Sequence, residues 1–128
     1  MVADSYIGDF SIIIVEDEPT MSRFIKMKLS GICDEVHTFS NGIEGYEAIR
    51  QQKPDLAILD VMLPGMEGFD ILEKIKSSTE LNHIKVLMLT AKSREEDLKR
   101  GFRLDADEYM SKPFKMSELI LRIRKLLS

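Results

Sequence analysis

The stretch Leu56–Gly68, LAILDVMLPGMEG, decides how this chain is read. Its first four residues are apolar with no polar alternation, the pattern of a strand covered by helices on both faces. The run ends on a carboxylate, Asp60, and the chain then meets Pro64, Gly65 and Gly68 in quick succession. A charged group therefore stands at the mouth of a buried strand, and a sharp turn follows it.

Working outward, four more stretches read as strands: FSIIIV (Phe10–Val15), EVHTF (Glu35–Phe39), IKVLMLT (Ile84–Thr90) and EYMS (Glu108–Ser111). With DLAILD (Asp55–Asp60) they make five, and helical periodicity fills the gaps. Pro19 suits a first helical turn, with Met21, Phe24, Ile25 and Leu29 as one apolar stripe and Gly31 as the stop. Asn41 can cap a second helix carrying Ile43, Tyr46 and Ile49, which Gly42 and Gly45 weaken. Phe69, Leu72 and Ile75 mark a third. Ser93, followed by Glu95 and Glu96, predicts the start of a fourth that ends near Leu104. Ser117 is expected to open a fifth, with Leu119, Ile120, Ile123, Leu126 and Leu127 inward and basic residues near its end. A βα unit repeated five times specifies a doubly wound α/β sandwich with right-handed crossovers, (βα)5.

The 128 residues fit a single domain, 1–128, with 44% hydrophobic and 31% charged residues, a globular balance. A net charge of −4 argues against direct binding of nucleic acid. Cys33, the one cysteine, cannot form an internal disulfide, and MVADSYIGDF is neither basic nor apolar enough for a signal peptide. No window approaches the roughly 18 apolar residues of a membrane helix. A cytoplasmic location without membrane contact is the expectation.

In doubly wound sheets, ligands bind outside the carboxyl ends of the strands. Those ends deliver Glu16, Asp17 and Glu18 after the first strand, and Asp60 after the third. Thr90 and Ala91 follow the fourth, and Lys112 and Pro113 the fifth. Two like charges about 4 Å apart cost on the order of 4 kcal/mol at an intermediate dielectric, so Glu16, Asp17 and Asp60 together call for a cation. Oxygen donors without histidine or cysteine favour Mg2+ over zinc. A metal, a lysine and a hydroxyl around one aspartate also describe a phosphoryl site, in which Asp60 attacks in line and Lys112 and Thr90 neutralise the equatorial oxygens. The Met62 main-chain carbonyl is a further candidate ligand. Taken singly, each of these residues reads as well as a cap, a packing group or a solvated charge; jointly they do not.

These motifs resemble the receiver domain of bacterial two-component response regulators along essentially the whole chain. IIIVEDEP is similar to that family's first strand and acidic pair, and PDLAILDVMLPGMEGFDIL to its phosphoacceptor strand and loop. VLMLTAK resembles the hydroxyl-bearing strand, and ADEYMSKPF the segment with the switch aromatic and the lysine. The resemblance implies a flavodoxin-like, five-stranded parallel sheet in order 2-1-3-4-5. It implies that Asp60 accepts a phosphoryl group from a sensor histidine kinase or phosphotransfer protein. Asp17 would ligate Mg2+ directly, Glu16 directly or through water, and Met62 through its carbonyl. Thr90 and Lys112 would hold the phosphoryl oxygens near the Ala91 amide, the Lys112–Pro113 bond would be cis, and Tyr109 would be the rotameric switch. Phosphorylation would then reshape the face of the fourth helix, fifth strand and fifth helix, controlling an output partner, domain or dimer.

The details are closest to receivers of winged-helix transcriptional regulators, which dimerise through that face. Glu108 and Arg122 match one of that group's inter-subunit ion pairs, and Asp107 and Glu118 match other charged positions. Leu98 replaces a basic residue that would pair with Glu118, and Asp105 replaces a glycine. Such a domain is a regulatory phosphoacceptor, catalysing only its own phosphoryl uptake and slow autodephosphorylation. Three rivals are weaker. A metal-dependent phosphatase that forms an aspartyl phosphate would need a second Asp where Met62 stands. A partner-binding scaffold would not need the Asp17, Asp60, Thr90 and Lys112 set. A nucleotide-binding flavodoxin-like protein would carry a Gly-rich loop after the first strand.

Overall fold

The computed structural model describes residues 6–91, 99–100 and 103–128. Five strands, β1 (Gly8–Val15), β2 (Cys33–Phe39), β3 (Leu56–Asp60), β4 (Lys85–Thr90) and β5 (Glu108–Ser111), form one sheet in order β2-β1-β3-β4-β5. Every neighbouring pair is parallel. The helices are α1 (Pro19–Ser30), α2 (Gly42–Gln52), α3 (Gly68–Ser77) and α4 (Met116–Leu127). The helix expected from Ser93 lies outside the described residues, except toward its end, where Lys99, Arg100 and Arg103 are helical. Lys92 and Leu98 also lie outside them.

Alternate strand residues enter opposite layers of the core, as the period of two requires. Ile13, Val15, Leu59 and Met88 pack with Ile49 of α2 and Phe69, Leu72 and Ile75 of α3. Ile12, Ile14, Ile58 and Leu89 pack with Ile25 and Leu29 of α1 and Leu119 and Ile123 of α4. All five residues of β3 are buried, so the quoted strand is the central, two-sided one.

Helix ends follow capping chemistry. The Asn41 side chain accepts from Glu44 N, and its amide donates back to the Glu44 carboxylate, both at 2.9 Å. At α1 the Glu18 carboxylate accepts from Thr20 N at 3.1 Å and Met21 N at 2.6 Å, which takes the third acid of the EDE run away from its neighbours. Three expectations are corrected. Phe24 and Ile43 are 43% and 57% exposed; α1 and α2 instead turn Ser22 and the small residues Gly45 and Ala48 inward. The last helix begins at Met116, with Lys115 at the cap position, rather than at Ser117. Cys33 opens β2, where burial pushes its thiol up and leaves it an inert core group.

Two non-glycine residues have left-handed backbone: Lys53, after α2, at φ 48°, and Asp105, before β5, at φ 63°. Asp105 is the position where the resembling family carries glycine, and Asp is one of the side chains that tolerates this region. Lys53 has no such excuse, and its 3.7 Å contact with Glu80 is exposed and worth little. Lys53→Gly is expected to raise stability by about 0.5–1 kcal/mol, read as a higher urea midpoint at unchanged slope. No gain would mean that the turn is not strained.

Candidate phosphoacceptor and metal site

The carboxyl ends of β1, β3, β4 and β5 meet at one edge of the sheet. Glu16 is 1% exposed, Asp60 6% and Thr90 3%, while Asp17 is exposed. One carboxylate oxygen from each of Glu16, Asp17 and Asp60 lies within 4.8 Å of the others. Among the described residues, this is the one group of acids, histidines or cysteines spaced to hold a cation.

Lys112 reaches the same point from the end of β5. Its Nζ donates to Glu16 Oε1 at 2.5 Å and to Asp60 Oδ2 at 3.2 Å. The second Glu16 oxygen accepts from Glu18 N at 3.1 Å, and Asp60 Oδ1 accepts from Met62 N at 3.3 Å. Burial pushes the Glu16 carboxyl above its usual range, and Asp60's charge adds to this; the bonds from Lys112 and the Glu18 amide only partly oppose it. Burial also works against the Lys112 ammonium, but its bond to Glu16 and the charges of Asp60 and Glu16 prevail and hold its pKa above the ordinary lysine value. Burial decides the sign at the acid, and the two carboxylates decide it at the base.

The turn chemistry explains the quoted stretch. Gly68 N donates to Val61 O at 2.9 Å, closing the loop back onto the end of β3. A Cβ at Gly68 would fall 2.0 Å from Asp60 O, so only glycine permits this approach. Gly65 takes φ 84°, and Gly42 N donates to Pro64 O at 2.8 Å, which ties the loop to the start of α2. Met62 itself points outward, 71% exposed. Thr90 O accepts from Lys112 N at 2.6 Å, joining the last two strand ends, and Ala91 follows at the exposed rim. The Lys112–Pro113 bond is cis, the geometry that the resemblance implies.

Tyr109 lies one strand away, partly buried against the core layer that contains Met88 and Leu59. Register pairs it with Met88 and pairs Thr90 with Ser111, so Thr90 and Tyr109 project from the same face of adjacent strands. All four charged positions compared above with dimer contacts are engaged within the chain. Arg122 donates to Glu108 at 2.6 Å and to Glu118 at 2.9 Å. Asp107 accepts from Lys76 Nζ at 2.7 Å and from Val86 N at 2.8 Å, so it is a strut of the fold rather than a free surface charge. What sequence reasoning missed is the Lys112–Glu16 contact, for which the buried acid beside a lysine-bearing strand end was the only signal.

Comparison with known proteins agrees with this geometry. Residues 12–124 match the family model described as the response regulator receiver domain. The probable transcriptional regulatory protein TcrX of Mycobacterium tuberculosis is 39% identical over 117 residues, covering 91% of this chain and 49% of that protein. The chain thus spans about half the length of the curated relatives it matches. The signal receiver domain of a DNA-binding response regulator from Colwellia psychrerythraea 34H superposes with a TM-score of 0.86 at 28% identity, covering 93% of this chain and 98% of that one. A phosphorylated cyanobacterial phytochrome response regulator, RcpA, does so with 0.78 at 29% identity, covering 92% and 91%. The chain belongs to the response regulator receiver domain family of two-component signal transduction.

Proposed function

We propose that this receiver domain is a phosphorylation-dependent switch whose acceptor is Asp60. The convergence of three carboxylates and one lysine on a single point carries the reading. An Asp60 oxygen attacks the phosphorus of a phosphohistidine on a sensor kinase or phosphotransfer protein. An O–P bond forms as the P–N bond breaks, and the departing imidazole nitrogen keeps the electron pair. Later attack by water returns inorganic phosphate and the free carboxylate. The domain catalyses only these steps on itself.

The donor set fits Mg2+: carboxylate oxygens of Glu16, Asp17 and Asp60, and the Met62 carbonyl. When bound, the ion supplies positive charge against the phosphoryl oxygens. Both Glu16 oxygens are already engaged, by Lys112 and Glu18 N, which favours direct ligation by Asp17 and Asp60 with Glu16 acting through water. Lys112, 3.2 Å from Asp60, is placed to hold one phosphoryl oxygen, with the Thr90 hydroxyl and the Ala91 amide taking others.

A phosphoryl group that draws Thr90 toward Asp60 frees space on the face it shares with Tyr109, favouring the inward rotamer and reshaping the β5–α4 surface. Couplings of roughly 1–3 kcal/mol change partner affinity about 5- to 150-fold. A homodimer through that surface would have to exchange Arg122's bonds to Glu108 and Glu118 for contacts between chains. We take residues 1–128 as one receiver unit. None of its described helices is long and apolar enough to cross a membrane, and a cytoplasmic location is part of the proposal.

Acetyl phosphate with Mg2+ is expected to add the mass of one phosphoryl group to the intact protein, and Asp60→Asn is expected to add none. Persistent labelling of that variant would overturn the assignment. Sizing of both forms would read whether dimerisation follows.

A further inference from the structure

The start of α3 is poorly secured by its own sequence. Its cap residue, Glu67, makes no side-chain capping bond, yet the next residue, Gly68, lies against the carbonyl of Asp60. A frayed first turn there would shift the end of β3, because nothing thicker than a Cα separates the two. The first turn is gripped from outside. The Arg100 guanidinium stacks over the Phe69 ring, its carbon 4.8 Å from the centroid, and its NH2 group lies 3.8 Å from Asp70 Oδ1. Arg100 is itself anchored on the approach to β5, where its carbonyl accepts from Leu104 N at 3.0 Å.

We propose that Arg100 is a positioning residue for the Asp60 site, holding the first turn of α3 through Phe69 and Asp70 and, through Gly68, the end of β3. The inference rests on Asp60 being the phosphoacceptor. Arg100 touches neither the acids nor Lys112, so its effect is on alignment alone. Phe69, 1% exposed, offers a fixed ring face, and a planar guanidinium can stack on that face while also facing Asp70. Lysine could keep the charge but not the planar contact.

The test combines two readouts on the full chain. Amide exchange at Asp70 and Ile71, which donate to Glu67 O, reports the first turn directly. Arg100→Ala is expected to speed it about fivefold, the worth of one half-exposed stack and one exposed pair. The rate of Asp60 labelling at saturating acetyl phosphate and Mg2+ reports alignment, and is expected to fall about tenfold. Arg100→Lys is expected to recover part of that loss. Asp70→Asn is expected to reproduce part of it, and the double variant to be no slower than Arg100→Ala alone. Wild-type labelling by Arg100→Ala, or effects of Arg100→Ala and Asp70→Asn that simply multiply, would overturn the proposal. If wild-type protein did not label at all, the phosphoacceptor reading would fall and this proposal with it. The exchange result would then describe only the fold.

Discussion

Gly68→Ala is expected to lower stability by about 3 kcal/mol and, in whatever fraction folds, to abolish most labelling of Asp60. The added Cβ would stand 2.0 Å from Asp60 O, 2.9 Å from Asp60 C and 3.1 Å from Met88 Cε. The first two are backbone atoms of a fully buried central strand, and they cannot swing aside as a flexible side-chain end would. Val61 N is bonded to Leu89 O at 2.9 Å and Gly68 N to Val61 O at 2.9 Å, so retreat of either segment breaks backbone bonds beside the site. A loss of about 3 kcal/mol is a large share of the 5–15 kcal/mol that holds a domain together. Urea unfolding measures it. Gly31→Ala is the control, because its nearest neighbour, Lys28 O at 3.6 Å, is at ordinary contact distance. If Gly68→Ala unfolded within about 0.5 kcal/mol of the parent, the close approach would not exist in solution.

Gly68 also shows where the sequence was legible and where it was not. A break after the acid was readable from Pro64, Gly65 and Gly68, but nothing local says that Gly68 is required by contact with Asp60 while Gly65 is required by its φ of 84°. The strands were legible because buried parallel strands are apolar on both faces, whereas their order came from the family resemblance, since right-handed crossovers alone are compatible with several orders. Helix faces were less so. Counting apolar residues put Phe24 and Ile43 inward, whereas α2 packs through Gly45, whose missing side chain lets Val15 approach to within 2.6 Å of where a Cβ would be. Small residues mark such close packing and register as weakness on a propensity scale.

Charged residues were hardest to place. Asp107 looks like a surface acid in sequence, and its bonds to Lys76 and Val86 N exist only because β4 and the end of α3 come together across the fold. The acids of the site were legible because they follow strands directly, and strand ends converge by topology. Lys112 was legible as a member of the set but not as Glu16's partner. That pairing joins residues 96 apart, and side-chain reach alone decides it.

Lys112→Ala should therefore do more than remove the proposed phosphoryl contact. It strands the buried Glu16 and Asp60 carboxylates, and breaking a buried pair by deleting one partner costs about 3–5 kcal/mol. Lys112 is 18% exposed, so about 2–3 kcal/mol is the expectation at pH 7.5 without divalent cations. The Glu16 carboxyl is already raised by burial. Losing the bond and charge of Lys112 raises it further, so the folded variant prefers Glu16 protonated over a wider range than the unfolded chain does. Its deficit is then smallest below the unfolded carboxyl value of 4.5 and grows as pH climbs through the folded value. In the parent, the raised Lys112 pKa keeps the ammonium's contribution intact at neutral pH, to be lost only as pH passes above 10.5 through the folded value. Urea midpoints of both proteins at pH 4 and pH 7.5 should show the gap nearly closing at the lower pH. Mg2+ should also narrow it at pH 7.5, because the acids of the variant, without the competing charge of Lys112, bind the ion more tightly than those of the parent and so gain more stability from it. An equal gap at both pH values, untouched by Mg2+, would mean that Lys112 packs at the site without neutralising it, and the electrostatic account of Glu16 and Asp60 would be wrong.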